Sequence, residues 1–337
     1  MKILVTGGAG FIGSNLVEYL LSDSKVSFVR VVDNLSTGFY KNIQPFLEHP
    51  KFEFKWGDIR DYATCMEVCK GIDRISHQAA LGSVPRSIKN PIATNATNIT
   101  GTLNIMTAAK ESGVSRVVFA ASSSTYGDSK TLPKVEDKIG NPLSPYAVTK
   151  YVKELYAKVF ADLYGLEFVG LRYFNIFGKR QDPNGAYAAV IPLFMKAALS
   201  NNPPTINGDG TYSRDFTYVE NAVQANVLSL FTEHPSAINQ VYNIACGQRT
   251  TLNQLWSFIK EASDCTVDAI HGSQRLGDIP HSLADISKAK DLLGYEPKVD
   301  VKTGLEKALV FYKQSQFETA KETALKMSNG MTTLVEK

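Results

Sequence analysis

Four cysteines in 337 residues (Cys65, Cys69, Cys246 and Cys265) are too few and too irregularly placed for a disulfide framework, and no C-x-x-C pair occurs. The five histidines lie far apart, so zinc-binding residue types never gather at ligand spacing, and no metal is expected. Charge of one sign is scarce too. Lys and Arg number 36 against 33 Asp and Glu, a net +3 scattered along the chain, which disfavours a nucleic-acid groove or an anionic membrane surface. Long apolar runs are missing. The longest uncharged one, Ala186–Met195, is broken by Pro192 and is too short for the ~30 Å hydrocarbon core of a bilayer. Met1-Lys2 leads straight into an apolar strand without the h-region of a secretory leader, so the cytoplasm is the expected location.

At 44% hydrophobic and 20% charged, the chain can bury a large core. Short β-branched runs at Lys2–Thr6, Phe28–Asp33, Phe52–Trp56, Arg74–Gln78, Arg116–Ser122 and Glu167–Tyr173 alternate with segments of helical spacing, notably Phe11–Leu21, Asn95–Glu111 and Ser144–Leu163. That alternation predicts an α/β fold with a doubly wound parallel sheet of the Rossmann type. After Tyr173 the rhythm breaks, with Gly, Pro and Asn clustering at Gly178–Gly185 and Asn201–Gly210. A smaller α/β region follows, with helices expected near Ala188–Leu199, Val219–Phe231, Thr251–Ala262, Ile286–Leu293 and Val301–Lys313. The strand Gln240–Ala245 is apolar enough to return to the main sheet, so the two regions partly interleave. We therefore expect a dinucleotide-binding domain over 1–174, a substrate domain over 175–316, and a frayed polar extension over 317–337.

Thr6-Gly7-Gly8-Ala9-Gly10-Phe11-Ile12-Gly13 follows the first strand and opens the first helix. Gly7, Gly10 and Gly13 let the backbone turn tightly, approach a pyrophosphate and pack helix on strand, while helix N–H groups face the anion. Asp33, at the end of the second strand, can accept hydrogen bonds from the adenosine ribose. A 2′-phosphate would be repelled there, so NAD is favoured over NADP. Asp58-Ile59 and Gln78-Ala79-Ala80 stand at further strand ends, where open α/β sheets place ligands. Tyr146 and Lys150 share one helical face at i, i+4, with Ser144 as N-cap and Pro145 at N1, and make a candidate acid/base pair. A neighbouring ammonium and a cationic nicotinamide would lower the phenol pKa from about 10. Tyr126…Lys130 has the same spacing, but it spans a turn composition with no helical face. Ser122-Ser123-Ser124 ends the fifth strand at the same sheet edge.

Taken in order, Thr6–Gly13, Asp33-Asn34-Leu35, Gly57-Asp58-Ile59, Gln78-Ala79-Ala80, Ser122-Ser123-Ser124, Tyr146-x-x-x-Lys150 and Arg172-Tyr173-Phe174-Asn175 resemble the extended short-chain dehydrogenase/reductases, within them the nucleotide-sugar 4-epimerases. Ala80–Ser87, Arg180–Ala189 and His281–Asp285 resemble the UDP-N-acetylglucosamine/UDP-N-acetylgalactosamine 4-epimerases. The resemblance spans about residues 1–313. It implies that Tyr146 takes the proton of the sugar 4-hydroxyl, that Lys150 binds the nicotinamide ribose and tunes Tyr146, and that Ser122 bonds the reacting oxygen. NAD would stay bound, and a 4-keto sugar would turn over in the pocket. The family's cofactor contacts would fall on Gly7, Gly10, Phe11, Ile12, Gly13, Asp33, Asn34, Thr37, Gly38, Asp58, Ile59, Gln78, Ala79, Ala80, Thr97, Tyr146, Lys150 and Phe174. Its UDP-sugar contacts would fall on Gly82, Ser83, Ser122, Ser123, Ser124, Tyr146, Asn175, Ala188, Ala189, Arg214, Arg275, Asp278 and Ser282.

Related dehydratases carry acids at the stretch matching Ser123-Ser124, and the two hydroxyls here argue for plain epimerisation. A UDP-glucuronate 4-epimerase, with Arg86 meeting the carboxylate, and a non-catalytic NAD-binding regulator are the competing readings. The family also implies a homodimer, through helices near Asn95–Lys110 and Ser144–Asp162.

Overall fold

A computed structural model of the chain describes residues 1–185, 188–274 and 279–314. Seven parallel strands form its centre: β1 (Lys2–Thr6), β2 (Phe28–Asp33), β3 (Phe52–Trp56), β4 (Arg74–His77), β5 (Arg116–Ser122), β6 (Glu167–Tyr173) and β7 (Gln240–Ile244). Their order across the sheet is β7-β6-β5-β4-β1-β2-β3, so the direction of winding reverses beside β1, where such sheets open a crevice at the strand C-termini. The strand expected near 240–245 thus pairs with β6, Gln240 opposite Val169 through Ile244 opposite Tyr173.

Alternation along the strands sends side chains to two cores. Ile3, Val5, Val29, Val31, Val118 and Ala120 pack beneath α1 (Phe11–Ser22) and, later in the chain, the helix Val219–Phe231. Leu4, Val32, Val117, Phe119 and Ala121 face α2 (Tyr62–Cys69), α5 (Gly101–Glu111) and α6 (Pro145–Tyr164) on the other side. Two short helices, α3 (Val84–Lys89) and α4 (Pro91–Asn95), precede α5, and the chain passes from α4 into α5 through a single π-helical turn, Ala96–Thr100. Such turns often mark functional sites, and this one carries Thr97.

Beyond β6, a third core gathers α7 (Val190–Leu199), α8 (Val219–Phe231), α9 (Leu252–Ser263) and the helix over 301–314, through Phe194, Met195, Val219, Trp256, Ile259, Leu305 and Leu309. The segment predicted to be helical from Ala188 begins at Val190, because Ala189 is extended and supplies only the N-cap. Three two-stranded ladders stitch this region: Ile176–Phe177 with Thr217–Tyr218, Ser213–Arg214 with Thr250–Thr251, and Thr205–Asn207 with Ile270–Gly272. A further helix, α10 (Ser287–Leu293), lies against β7. No helix among the described residues is long and apolar enough to cross a membrane. The expected extension 317–337 lies outside the described residues.

Candidate active site

The first βα turn is shaped by space that only glycine leaves. Gly7 has φ +69°, and a Cβ on Gly13 would lie 2.2 Å from the Gly7 carbonyl oxygen. α1 starts at Gly10 with no side-chain cap and no acid in its first turn, so its leading N–H groups are left to an anion. At the end of β2, the Asp33 carboxylate accepts from Ala9 N at 3.0 Å and Leu35 N at 2.8 Å. Burial pushes its pKa up, against those two bonds. Asn34 reaches across to donate to Asp58 at 2.9 Å, and the Arg60 guanidinium bonded to Asp58 holds that carboxyl down at about 2.

These groups line one crevice of about 610 Å³ at the strand C-termini. The expected residues Gly7, Gly10, Phe11, Ile12, Gly13, Asp33, Asn34, Thr37, Gly38, Asp58, Ile59, Gln78, Ala79, Ala80 and Thr97 all line it, as do Gly82, Ser83, Ser122, Ser123, Tyr146, Lys150, Asn175, Ala188 and Ala189. The glycine cradle, the uncapped helix start and the Asp33 carboxylate fit a dinucleotide with free ribose hydroxyls.

α6 delivers Tyr146 and Lys150. Ser144 caps it through Ala147 N at 3.1 Å, Pro145 occupies its first turn, and Gly165 closes it in the left-handed region. One turn past Lys150, Glu154 makes a buried two-point ion pair with Arg172 of β6, at 2.9 and 2.7 Å. Arg172 also donates to the Tyr126 hydroxyl, which donates to Asn243 on β7, so the helix is bolted to the sheet from below. Tyr126 is thereby spent in the core, away from the crevice.

Burial raises the Tyr146 phenol above its ordinary value, and its hydrogen bond with Ser122 pulls it partway back. The expected lowering needs a neighbouring ammonium and a cationic nicotinamide together; the Lys150 ammonium donates to the Ala120 carbonyl at 2.8 Å and stands 5.7 Å from the Tyr146 ring centre. Burial also drops Lys150 to about 8. Ser124 donates to Ser122 Oγ at 2.9 Å, fixing that hydroxyl from behind rather than lining the crevice.

A second cavity of about 250 Å³ adjoins the first through Asn175, Ile176, Gln181 and Ala189. Arg214 lines it with Asn207, Tyr212, Phe216 and Gln274, an aromatic and amide lining suited to a base and ribose. Ser282 lines neither cavity. Its backbone N–H donates to Ser213 O at 3.1 Å, and the helix after it begins from Ile286 without a side-chain cap, so Ser282 does not cap that helix. Phe174 is fully buried and stacks on Tyr126 at 5.9 Å, supporting the floor rather than facing a ligand. Arg275 and Asp278 lie outside the described residues.

Gln181, Asp182, Asn207, Tyr212 and Phe216 escaped the sequence reading. They sit in loops or, for Asn207, at the end of a three-residue strand, with no period, and only the Gly/Pro/Asn clusters around them hinted at a site.

A doubly wound sheet with an anion-ready glycine turn, an acidic β2 end and a buried tyrosine–lysine pair at one crevice defines a short-chain dehydrogenase/reductase. The chain belongs to the NAD dependent epimerase/dehydratase family, whose pattern matches residues 3–245, and NAD is its cofactor. It is similar to a UDP-N-acetylglucosamine 4-epimerase from Methanobrevibacter ruminantium M1, solved with UDP-N-acetylmuramic acid: 40% identity, TM-score 0.87, covering 93% of this chain and 98% of that one. A UDP-glucose 4-epimerase from Thermotoga maritima with UDP-glucose gives 36% identity, TM-score 0.87 and coverage of 94% and 100%. A UDP-glucuronic acid 4-epimerase from Bacillus cereus, with UDP-glucuronic acid and NAD, gives 33% identity, TM-score 0.86 and coverage of 93% and 99%.

Proposed function

We propose that this chain, a UDP-sugar 4-epimerase by its family and relatives, interconverts UDP-N-acetylglucosamine and UDP-N-acetylgalactosamine. The observation that carries the reading is the Tyr146 phenol, hydrogen-bonded to Ser122, standing in the same crevice as the glycine turn. NAD, when bound, supplies a reversible two-electron oxidation at the sugar C4. Tyr146 takes the 4-hydroxyl proton as C4 is oxidised and returns it when the carbonyl is reduced on its other face. Ser122 holds the C4 oxygen and through its hydrogen bond pulls the Tyr146 phenol down, and Lys150 would hold the nicotinamide ribose. The second cavity takes the nucleotide, with Arg214 toward the diphosphate.

Room beside the sugar supports the acetamido substrate. A Cβ on Gly82 would meet nothing within 4 Å, and Ser83, Ala188 and Ala189 complete a small-residue wall. Arg86 lines the crevice as the uronate reading requires, but Asp182 lines it too and opposes a second carboxylate. The α6 face carrying exposed Val148, Leu155, Val159 and Leu163, beside exposed Ile88 and Ile92, supports the homodimer.

The test uses purified protein without added NAD, incubated separately with UDP-N-acetylglucosamine, UDP-glucose and UDP-glucuronate and followed by anomeric NMR. We expect the fastest conversion with the N-acetylated pair. In D₂O no deuterium should become fixed on carbon, since the hydrogen lost from C4 returns without passing through water. Preference for the uronate would transfer the protein to that substrate, and absence of any conversion with NAD bound would leave a binder.

A further inference from the structure

The substrate loop after β6 is tied to the cofactor helix by an interaction with no part in the chemistry. Three residues of α1, whose N-terminus meets the glycine turn, converge on Lys179 and Arg180. The Ser14 carbonyl accepts from Arg180 at 3.2 Å, Asn15 Nδ2 donates to the Lys179 carbonyl at 3.1 Å, and Glu18 Oε2 accepts from both Lys179 Nζ and Arg180 at 2.7 Å. Arg180 is only 12% exposed, lies 5.6 Å from the centre of the Phe46 ring, and has φ 68°, a left-handed backbone that a non-glycine residue holds only when its surroundings fix it. Burial alone would push the Glu18 pKa up, but Lys179 and Arg180 outweigh it and hold the carboxyl below its ordinary value.

The residue next in sequence is Gln181. Its backbone carbonyl accepts from the Tyr312 hydroxyl at 2.7 Å, its side-chain Nε2 donates to Ile176 O at 3.2 Å, and it lines both cavities. Its Oε1 is buried without a hydrogen-bond partner among the described residues, an acceptor left unsatisfied where the two cavities meet. An acceptor in that state needs a donor, and a bound UDP-sugar spanning the cavities supplies hydroxyl and amide donors there.

We propose that Glu18 is a positioning residue for the UDP-sugar: through Lys179 and Arg180 it pins the Gln181 turn to the cofactor helix. The inference rests on the reading that the substrate spans both cavities. Neither Glu18 nor Arg180 lines either cavity, so their effect is carried through the loop.

The test measures kcat, KM, NAD content and melting temperature for wild type, Glu18→Gln, Arg180→Met and the double variant, on the best UDP-hexose and with UDP binding by calorimetry. Each single variant should raise KM about three- to ten-fold, as expected for partly exposed ion pairs acting together. Values of kcat and NAD content should stay near wild type, and the double variant should be no worse than the poorer single one. Glu18→Asp should recover part of the loss. Unchanged KM in Glu18→Gln, or a KM rise that comes only with lost NAD and a lowered melting temperature, overturns the proposal. Wild type inactive on every UDP-sugar, yet binding UDP, would instead fail the functional reading, and calorimetry would still report on the clamp.

Discussion

Replacing Gly13 with alanine tests how tightly the cofactor turn is drawn. The added methyl would sit 2.2 Å from the Gly7 carbonyl oxygen, 2.8 Å from Gly8 Cα and 2.9 Å from the Gly7 carbonyl carbon. All three neighbours are backbone, so no side chain can swing aside. Relief requires the Gly7–Gly8 turn and the first turn of α1 to part by about one ångström, and overpacking of this kind costs about 1–3 kcal/mol. If about 2 kcal/mol falls on the cofactor-competent turn, NAD affinity drops about 30-fold. If it falls on the whole fold, melting drops by about 3 °C for a chain of this size. Gly82→Ala is the matched control in the same crevice, since its methyl meets nothing within 4 Å. The assay is bound NAD per chain after gel filtration, together with thermal melting and UDP binding. Gly13→Ala should purify largely without NAD while UDP binding survives, and Gly82→Ala should keep its NAD. Wild-type NAD content and melting in Gly13→Ala would refute the argument that this close approach sets the cofactor site.

Tyr146→Phe removes one buried oxygen and with it the proton transfer, so turnover should fall about a hundred- to ten-thousand-fold while NAD and UDP binding persist; near-normal rates would move the base elsewhere. Because burial holds Lys150 at about 8, kcat should decline as pH climbs through that value and the ammonium is lost, and a flat profile from pH 7 to 10 would remove Lys150 from the chemistry. Stability from the same group runs the opposite way. The unfolded chain holds more protons between about pH 8 and the ordinary 10.5, so this group's contribution improves as pH rises across that window. Because Ser282 lines neither cavity, Ser282→Tyr should leave the ratio of kcat/KM for the N-acetylated and plain pairs near wild type; a loss confined to the N-acetylated pair would place Ser282 beside the 2-substituent.

The sheet was legible because its signal is local. Each of β1 to β6 is a short run rich in β-branched or aromatic residues, and its ends can be read within a residue or so; β4 stops at His77 rather than Gln78. Tyr146 and Lys150 were legible for the same reason, since one helical turn and one cap decide where they point. The second cavity was not. Its walls come from ladders such as Ser213–Arg214 with Thr250–Thr251, whose partners are remote in sequence and carry no period. Spacing also cannot reveal that burial raises the Tyr146 phenol or that Ala120 offers the Lys150 ammonium a carbonyl. Positions 84–95 form two short helices in a stretch where Pro, Asn and Ser interrupt any long helical period, each started by a side-chain cap, Ser83 and Asn90.

The seventh strand gives the chain an order of events. β6 is almost wholly buried, yet its outer edge stays uncovered until Gln240–Ile244 has been made, after the chain has gone out to build the second cavity and come back. On the ribosome, a polypeptide ending anywhere before that return carries a bare apolar edge, the kind of surface on which nascent chains aggregate. A graft that exchanges the region beyond β6 between relatives must therefore either bring its own closing strand or splice on both sides of residues 240–244.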